Sequence, residues 1–146
     1  MQRIENYVTL EFLSRSSNES FARVAAAGFA AQLDPTLDEL GDIKTAVSEA
    51  VTNAIVHGYP DQLGKIVVKL KLLENNTLEI TVRDWGKGIE DIQQARQPLF
   101  TTGGEERSGM GFTIMESFMD RLTVKSTPGR GTTVTMRRRI SARIKR

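Results

Sequence analysis

Cysteine is absent from this 146-residue sequence, and histidine occurs only once, as His57. The chain therefore forms no disulfide, and it has too few thiolate and imidazole ligands for an ordinary zinc site. Aromatic residues make up only 6% of the chain, with Trp85 as the single tryptophan. The longest apolar run, VAAAGFAAQL, is about half as long as the roughly 20 residues that a membrane-spanning helix needs. These absences argue against a disulfide-stapled, zinc-centred or membrane-spanning protein.

The N-terminal stretch also lacks the apolar segment of a signal peptide, because Arg3 and Glu5 lie within its first ten residues. Together with the absence of cysteine, this favours a cytoplasmic location. An apolar content of 39% and a charged content of 26% are typical of soluble globular domains. We therefore expect residues 1–146 to form a single domain with no membrane partner.

The formal net charge of +2 hides an uneven distribution of charge along the chain. Six of the last ten residues are basic, and without them 14 basic residues stand against 18 acidic ones, a charge of −4 for residues 1–136. The basic character belongs to a C-terminal tail, 137–146, which we interpret as a strand end followed by a solvated terminus. We therefore expect no direct nucleic-acid partner.

The apolar pattern predicts elements in the order β-α-α-β-β-loop-α-β-β. The first helix is predicted to begin at a capping box, Ser16-x-x-Glu19, and the second to begin at Asp34-Pro35 and end near Gly58. Because strands and helices do not alternate strictly, we predict an α+β fold, a two-layer sandwich with helices on one face of a mainly antiparallel mixed sheet. The predicted strands are 7–14, 65–73, 77–84, 121–127 and 131–140, and the predicted helices are 16–33, 35–58 and 109–120.

Three polar residues lie four positions apart in the second predicted helix, within the segment EAVTNAIVHGY. Glu49, Asn53 and His57 therefore share one side of that helix. Two glycine-rich segments follow, DWGKG with Asp84 at a strand end, and SGMG at the start of the third helix. Residues 86–108 lie between them as a long loop region, and long loops inside compact domains are usually functional.

Taken singly, each of these features has a plainer interpretation. Glu49 and Asn53 fit a solvated helix face, and Asp84 with two glycines fits an ordinary turn. Gly109 and Gly111 fit a flexible helix entry, and His57 fits a helix end or core position better than a ligand.

Taken together, the features describe a site for Mg-ATP without a P-loop. A helix N-terminus behind glycines offers free N–H groups and the positive end of a dipole to phosphate. Amide and carboxylate oxygens suit magnesium. A carboxylate at a strand end can accept a hydrogen bond from the amine of adenine, and neighbouring glycines let a flat base approach the backbone. The P-loop motif GxxxxGK[ST] is absent from the sequence.

The same segments resemble the motifs of a known family. EAVTNAIVHGY, DWGKGI and SGMGF are similar to the N box and the two glycine boxes of the GHKL (Bergerat) ATP-binding family. SNESFAR, ARQPLFTT and ERSGMGFTIME resemble one branch of it, the anti-sigma serine kinases of spore-forming bacteria. The resemblance covers roughly residues 7–137. The lid departs from the family pattern after Thr101 and Thr102, where the family has a lysine-proline pair and one more residue and this chain has Gly103 and Gly104.

The resemblance implies a role for each matching position. Asp84 would bind the adenine amine, Asn53 would ligate Mg²⁺, and Glu49 would orient or deprotonate the attacking hydroxyl as the catalytic base. Thr133 on the last strand would lie near the adenine. The remaining implied nucleotide contacts are Gly86 and Gly88 in the base pocket and Thr101, Thr102, Arg107, Ser108, Gly109, Met110 and Gly111 in the lid over the phosphates.

The resemblance also implies a function. The chain would bind and inhibit a sporulation sigma factor, and it would use Mg-ATP to phosphorylate a serine of an anti-anti-sigma protein, with ATP or ADP and Mg²⁺ as ligands and a homodimer as its assembly. Against a histidine kinase, the sole histidine lies inside the nucleotide-site helix, and a hydroxyl acceptor needs a base such as Glu49. Two alternatives remain open: a stand-alone ATPase or ATP-gated switch, and a non-catalytic module that binds sigma by its surface alone.

Overall fold

The computed structural model describes residues 2–96 and 111–141. Its elements follow the predicted order, with one short extra helix, α3, inside the predicted loop region. Helix α1 continues into a 3₁₀ turn, Ala31–Leu33, and α2 continues into a π-helical turn, Ala54–Gly58. In chain order the elements are β1 (Ile4–Leu13), α1 (Ser17–Ala30), α2 (Leu37–Asn53), β2 (Lys65–Leu73), β3 (Thr77–Asp84), α3 (Ile92–Ala95), α4 (Gly111–Phe118), β4 (Arg121–Thr127) and β5 (Gly131–Arg139).

The five described strands form one sheet in the order β1-β2-β3-β5-β4, and all four pairings are antiparallel. Tight turns set the register of the two hairpins. Asn75 and Asn76 both adopt positive φ between β2 and β3, and Pro128-Gly129 reverses the chain between β4 and β5, with Gly129 at φ 79°. The predicted α+β class is confirmed.

Alternate residues of the central strands face the helices and form the core. On β2 and β3 these are aliphatic side chains that solvent does not reach, while residues between them, such as Lys69 and Arg83, are exposed on the other face. Helices α1, α2 and α4 cover the apolar face with small and aliphatic residues. The main core side chains are Ile66, Val68, Leu70, Leu78, Ile80, Val82, Val134 and Met136 from the sheet, and Ala22, Ala26, Ile43, Val47, Val51, Phe112 and Met115 from the helices.

The predicted capping box at Ser16 does not form. Ser16 has helical backbone angles, φ −58° and ψ −30°, and makes no side-chain cap bond, whereas a capping residue needs extended angles. The carboxylate of Glu19 instead accepts a hydrogen bond from Arg23 one turn later, at 3.0 Å. Glu19 therefore makes an ordinary helix-surface ion pair with Arg23, and Ser16 does not cap α1.

The start of α2 also differs from the prediction. Asp34 closes the 3₁₀ turn in a left-handed conformation, φ 55°, and Thr36 is the residue that caps α2. The Thr36 hydroxyl accepts the backbone N–H of Glu39 at 3.0 Å, and the Glu39 carboxylate accepts the N–H of Thr36 at 2.9 Å. The cap of α2 is therefore two residues later than the predicted Asp34, and it is a capping box.

The first residues of the basic segment 137–146 belong to the sheet, as predicted for a strand end. Arg137, Arg138 and Arg139 end β5, and two of them make close ion pairs. Arg137 binds Glu79 on the neighbouring strand at 2.8 Å, and Arg138 binds Asp42 of α2 at 2.8 Å. Among the described residues, no helix is both long and apolar enough to cross a membrane.

Candidate functional site

A cavity of ≈ 690 Å³ opens between the C-terminal end of α2 and the ends of β3 and β5. Its volume falls in the range of small-molecule and cofactor sites. The apolar part of its wall comes from both layers of the fold, and its polar part includes Asn53, His57 and Asp84. The lining residues are Ala50, Asn53, Ala54, His57, Gly58, Val82, Asp84, Lys87, Gly88, Ile89, Glu90, Asp91, Gln94, Ala95, Phe112, Pro128, Gly129, Thr132 and Val134.

Asp84 is the last residue of β3 and its side chain lies in the cavity wall, only 5% exposed. One carboxylate oxygen, Oδ1, accepts the backbone N–H of Gly86 at 2.9 Å. Burial raises the pKa of this carboxyl above its ordinary value, and the backbone N–H groups of Gly86 and Thr132 counteract that rise only in part. A carboxylate has about four acceptor positions, so Asp84 keeps capacity for a ligand donor.

Glycines surround this carboxylate because the backbone approaches it too closely for side chains. A Cβ on Gly58 would lie 2.9 Å from Cγ of Asp84, and one on Gly86 would lie 2.0 Å from the carbonyl oxygen of Gly58. Gly88 has φ +77°, and a Cβ there would meet the carbonyl of Thr127 at 2.3 Å. The DWGKG segment therefore needs both of its glycines to turn beneath the π-helical end of α2.

The polar stripe on α2, formed by Glu49, Asn53 and His57, meets helix α4 at Asn53. Asn53 is the last residue of α2 and lines the cavity, and a Cβ on Gly111 would lie 2.8 Å from its Nδ2. The N-terminal residue of α4 is thus packed against the amide that was predicted to hold magnesium. Glu49, one turn earlier, is half-buried and does not contribute to the cavity wall. Asn53 and Asp84 therefore share one cavity, and Glu49 lies beside it along the same helix.

One predicted nucleotide contact needs correction. Thr133 pairs with Arg83, so both side chains lie on the sheet face away from the helices. Thr132 pairs with Asp84 and lines the cavity. The family resemblance implied a place near the adenine for Thr133, but Thr132 is the threonine of this strand that lines the cavity, because a shift of one residue reverses side-chain direction in a strand.

His57 lies in the π-helical turn that ends α2, so its predicted place at a helix end is confirmed. The histidine also lines the cavity, four residues after Asn53 on the same side of the helix. The predicted lid contacts lie outside the described residues, with the exception of Gly111. These are Thr101, Thr102, Arg107, Ser108, Gly109 and Met110.

The donor set of the cavity fits a nucleotide with an oxygen-bound cation better than a protein-held metal. In the described parts of the chain, no three side chains of histidine, cysteine, aspartate or glutamate are grouped closely enough to hold a metal ion. A magnesium ion here would take one amide oxygen, from Asn53, and would draw its other ligands from phosphate and water. A glycine-walled carboxylate at one end and an amide beside a helix start at the other suit a flat base and its phosphate chain.

Comparison with known proteins shows the family to which the chain is similar. The family described as histidine kinase-like ATPase domain matches residues 14–138. Proteins named anti-sigma F factor are similar over almost their whole length. The relative from Caldanaerobacter subterraneus subsp. tengcongensis is 60% identical over 90% of this chain and 92% of its own, and that from Geobacillus kaustophilus is 58% identical over 94% and 95%.

Solved structures share the fold at lower sequence identity. The structure of the RsbU and RsbW domains of Rv1364c from Mycobacterium tuberculosis aligns with 94% of this chain and 32% of its own, with a TM-score of 0.69 and 21% identity. The mycobacterial sensor histidine kinase MprB aligns with 94% of this chain and all of its own, with a TM-score of 0.58 and 13% identity. At these identities the likeness concerns the fold alone.

An ATPase domain of this type implies a nucleotide site, and the cavity that holds Asp84 and Asn53 lies within the matched residues. The family match spans most of the chain, and the relatives exceed half identity over nearly full length. The chain belongs to the histidine kinase-like ATPase domain family, in the group that contains the anti-sigma F factors.

Proposed function

We propose that this protein is an anti-sigma factor and an ATP-dependent protein serine kinase. It binds and inhibits a sporulation sigma factor, and it phosphorylates a serine of an anti-anti-sigma protein, which inactivates that protein. The observation that carries the proposal is the buried, glycine-walled Asp84 in a cavity shared with Asn53, in a chain closely similar to proteins named anti-sigma F factor.

In this proposal the base of ATP occupies the Asp84 end of the cavity. The carboxylate accepts a hydrogen bond from the exocyclic amine of adenine, a group that guanine lacks at the same position. Ala54, Val82 and Val134 provide apolar wall for the flat faces of the ring. Recognition of the amine by a buried carboxylate favours ATP over GTP, because a wrong partner would leave the carboxylate without a donor.

The phosphates extend toward Asn53 and the start of α4. The Oδ1 of Asn53 would hold Mg²⁺, which would supply charge neutralisation on the phosphates when bound. The N-terminal end of α4, at Gly111, lies against Asn53, so the positive end of the helix dipole is close to the same region. Lys87 also lines the cavity and adds a positive charge to its wall.

The transfer step needs a proton acceptor beside the phosphate end. The serine Oγ of the acceptor protein attacks the γ-phosphorus, the bond from that phosphorus to the β,γ-bridging oxygen breaks, and ADP leaves. The serine hydroxyl proton passes to the carboxylate of Glu49, which lies one helical turn from Asn53. The single histidine is part of the cavity wall, which disfavours a histidine phosphoacceptor and supports a hydroxyl as acceptor.

The test is phosphate transfer from labelled Mg-ATP to a purified anti-anti-sigma protein that carries its acceptor serine. We expect label on that serine with the parent chain, and loss of transfer with retained ATP and sigma binding in Glu49→Ala. Glu74→Ala, a carboxylate on the turn between β2 and β3, is the matched control and should transfer normally. Normal transfer by Glu49→Ala would remove Glu49 as the base.

The same experiment separates the alternative function. Phosphate released only to water, with no label on the partner, would favour a stand-alone ATPase or ATP-gated switch. Sigma binding with no affinity for ATP would instead favour a non-catalytic binding module.

The assembly and location of the protein complete the proposal. We infer a homodimer that works in the cytoplasm as a single domain, without membrane or nucleic-acid partners. Analytical ultracentrifugation of the pure chain tests the dimer, since a monomer at micromolar concentration would contradict it.

A further inference from the structure

The hydroxyl of Tyr59 joins two segments that are distant in sequence. Tyr59 directly follows the π-helical turn, and its hydroxyl donates a hydrogen bond to the carbonyl oxygen of Lys65, at 2.7 Å. The same hydroxyl accepts the backbone N–H of Trp85, also at 2.7 Å. One side chain therefore connects the start of β2 to the residue that follows Asp84.

The ring of Tyr59 occupies space beside Gly64 that any larger residue at position 64 would fill. A Cβ on Gly64 would lie 2.1 Å from Cε1 of the ring, so the space exists only because residue 64 is glycine. Trp85 is held from its side-chain end as well, with Lys65 Nζ 4.4 Å and Arg83 Cζ 4.5 Å from its ring centroid. Tyr59, Lys65 and Trp85 thus form a closed set of contacts, which we call the Tyr59 clasp.

The clasp secures the turn that presents the Asp84 carboxylate. On the far side of that turn, the N–H of Lys87 donates to the carbonyl of Gly58 at 3.0 Å, and Gly86 contacts the same carbonyl. Gly58 and Tyr59 are consecutive residues, so the turn is attached twice to one short segment at the end of the π-helical turn. A π-helical turn within an α-helix is a frequent feature of functional sites, because it redirects the backbone.

We propose that Tyr59 is a positioning residue that sets nucleotide-base affinity and selectivity by fixing the Asp84–Gly88 turn. The inference rests on the proposed function, since it assigns Tyr59 to the base end of that site. Ligand recognition by a single carboxylate requires its geometry to be held within a fraction of an ångström, and Asp84 has few donors of its own to hold it. The Tyr59 hydroxyl does not touch the ligand and acts through Trp85.

The test variant is Tyr59→Phe, which removes the hydroxyl and keeps the ring. By calorimetry with Mg²⁺ we expect the Kd for ADP to rise about tenfold, as for the loss of one or two hydrogen bonds at the site, and the ratio of GDP to ADP Kd to fall toward one. In the transfer assay KM for ATP should rise while kcat at saturating ATP stays unchanged, because Glu49 and Asn53 are untouched. Tyr7→Phe is the matched control, since Tyr7 is 66% exposed on β1, and it should change none of these values.

A second variant, Gly64→Ala, keeps the hydroxyl but displaces the ring, and it should give the same loss of ADP affinity and selectivity. Circular dichroism of both variants checks that the fold is retained. An unchanged Kd ratio in Tyr59→Phe, equal weakening of ADP and GDP, or unfolding of both variants would each overturn the positioning role. If the parent chain itself bound no ADP, the proposed function would fail first, independently of Tyr59.

Discussion

Glu39 and Asp84, two of the carboxylates buried in the described part of the chain, have opposite electrostatic character. They are almost equally buried, at 6% and 5% exposure. Burial pushes both pKa values upward, yet hydrogen bonds from the backbone and hydroxyls of Thr36 and Ser141 outweigh that effect and bring the pKa of Glu39 down to about 2. The pKa of Asp84 stays raised.

The difference lies in the donors that the fold supplies. Glu39 Oε1 accepts the N–H of Thr36, and Oε2 accepts both the N–H and the hydroxyl of Ser141, at 2.9 and 2.8 Å. These bonds join the start of α2 to the residue that follows the buried Ile140. Asp84 receives only two backbone donors and faces a cavity. A carboxylate with its acceptor positions filled stabilises the fold, whereas one left short of donors beside a cavity is available to a ligand.

The largest expected effect is on the structural carboxylate. Glu39→Ala removes a buried acceptor and leaves the N–H groups of Thr36 and Ser141 without it, which should lower the free energy of unfolding by about 3 kcal/mol. Urea denaturation measures this loss, and the Kd for ADP should be unchanged below the transition. Glu19→Ala is the control, because its half-exposed pair with Arg23 is worth only about 0.5 kcal/mol. Equal losses of unfolding free energy in Glu39→Ala and Glu19→Ala would contradict the structural role of Glu39.

The pH dependence of stability should isolate the same carboxylate. Its pKa in the folded protein, about 2, lies below the ordinary 4.5, so its contribution is fully present above pH 4.5 and is lost as the pH falls toward 2. The stability difference between the parent chain and Glu39→Gln should therefore shrink by on the order of 3 kcal/mol across that window. A difference that stays constant between pH 5 and pH 2 would contradict the lowered pKa.

Asp84, the carboxylate proposed to bind the base, should respond in the opposite way. Asp84→Asn should raise the Kd for ADP roughly 10- to 100-fold, because the variant presents an amide where a charged acceptor is needed. Its stability without nucleotide at neutral pH should be unchanged or higher, since the raised pKa means that burial disfavours the ionised form. Asp61→Asn, an exposed loop aspartate, is the control for the removed charge. If Asp84→Asn were strongly destabilised but bound ADP normally, Asp84 would be a structural carboxylate rather than a ligand-binding one.

Asp84 and Glu39 also differ in how far their environments could be predicted from the sequence. The spacing of Asp84 and its glycines, and the polar stripe through Asn53, placed the cavity because local backbone chemistry determines both. The pattern S/T-x-x-E occurs at Ser16 and at Thr36; the predicted capping box was at Ser16 and the predicted cap of α2 was Asp34, whereas the capping box forms at Thr36. What distinguishes them is Ser141, more than a hundred residues away, which bonds Glu39 and which no local pattern reveals.

The one-residue error at Thr133 has a different origin, because here a local signal was available. Val134 and Met136 are apolar and buried, so alternation along β5 places Thr132 on their face of the sheet and Thr133 on the opposite face. The Tyr59 clasp was also invisible in the sequence, because its three members meet only when the π-helical turn brings residue 59 to the end of β3.

The smallest expected effects concern the two candidate caps themselves. Thr36→Ala removes the hydroxyl that accepts the N–H of Glu39 and should cost about 1 kcal/mol of unfolding free energy. Ser16→Ala should cost almost nothing, since Ser16 has helical angles and makes no cap bond. Urea denaturation of the two variants side by side gives the comparison, with Thr36→Ser expected to restore most of the loss. Because the two sites share the same four-residue pattern, a cost at Ser16 equal to that at Thr36 would mean that local sequence, rather than the distant bond from Ser141, determines where a capping carboxylate is held.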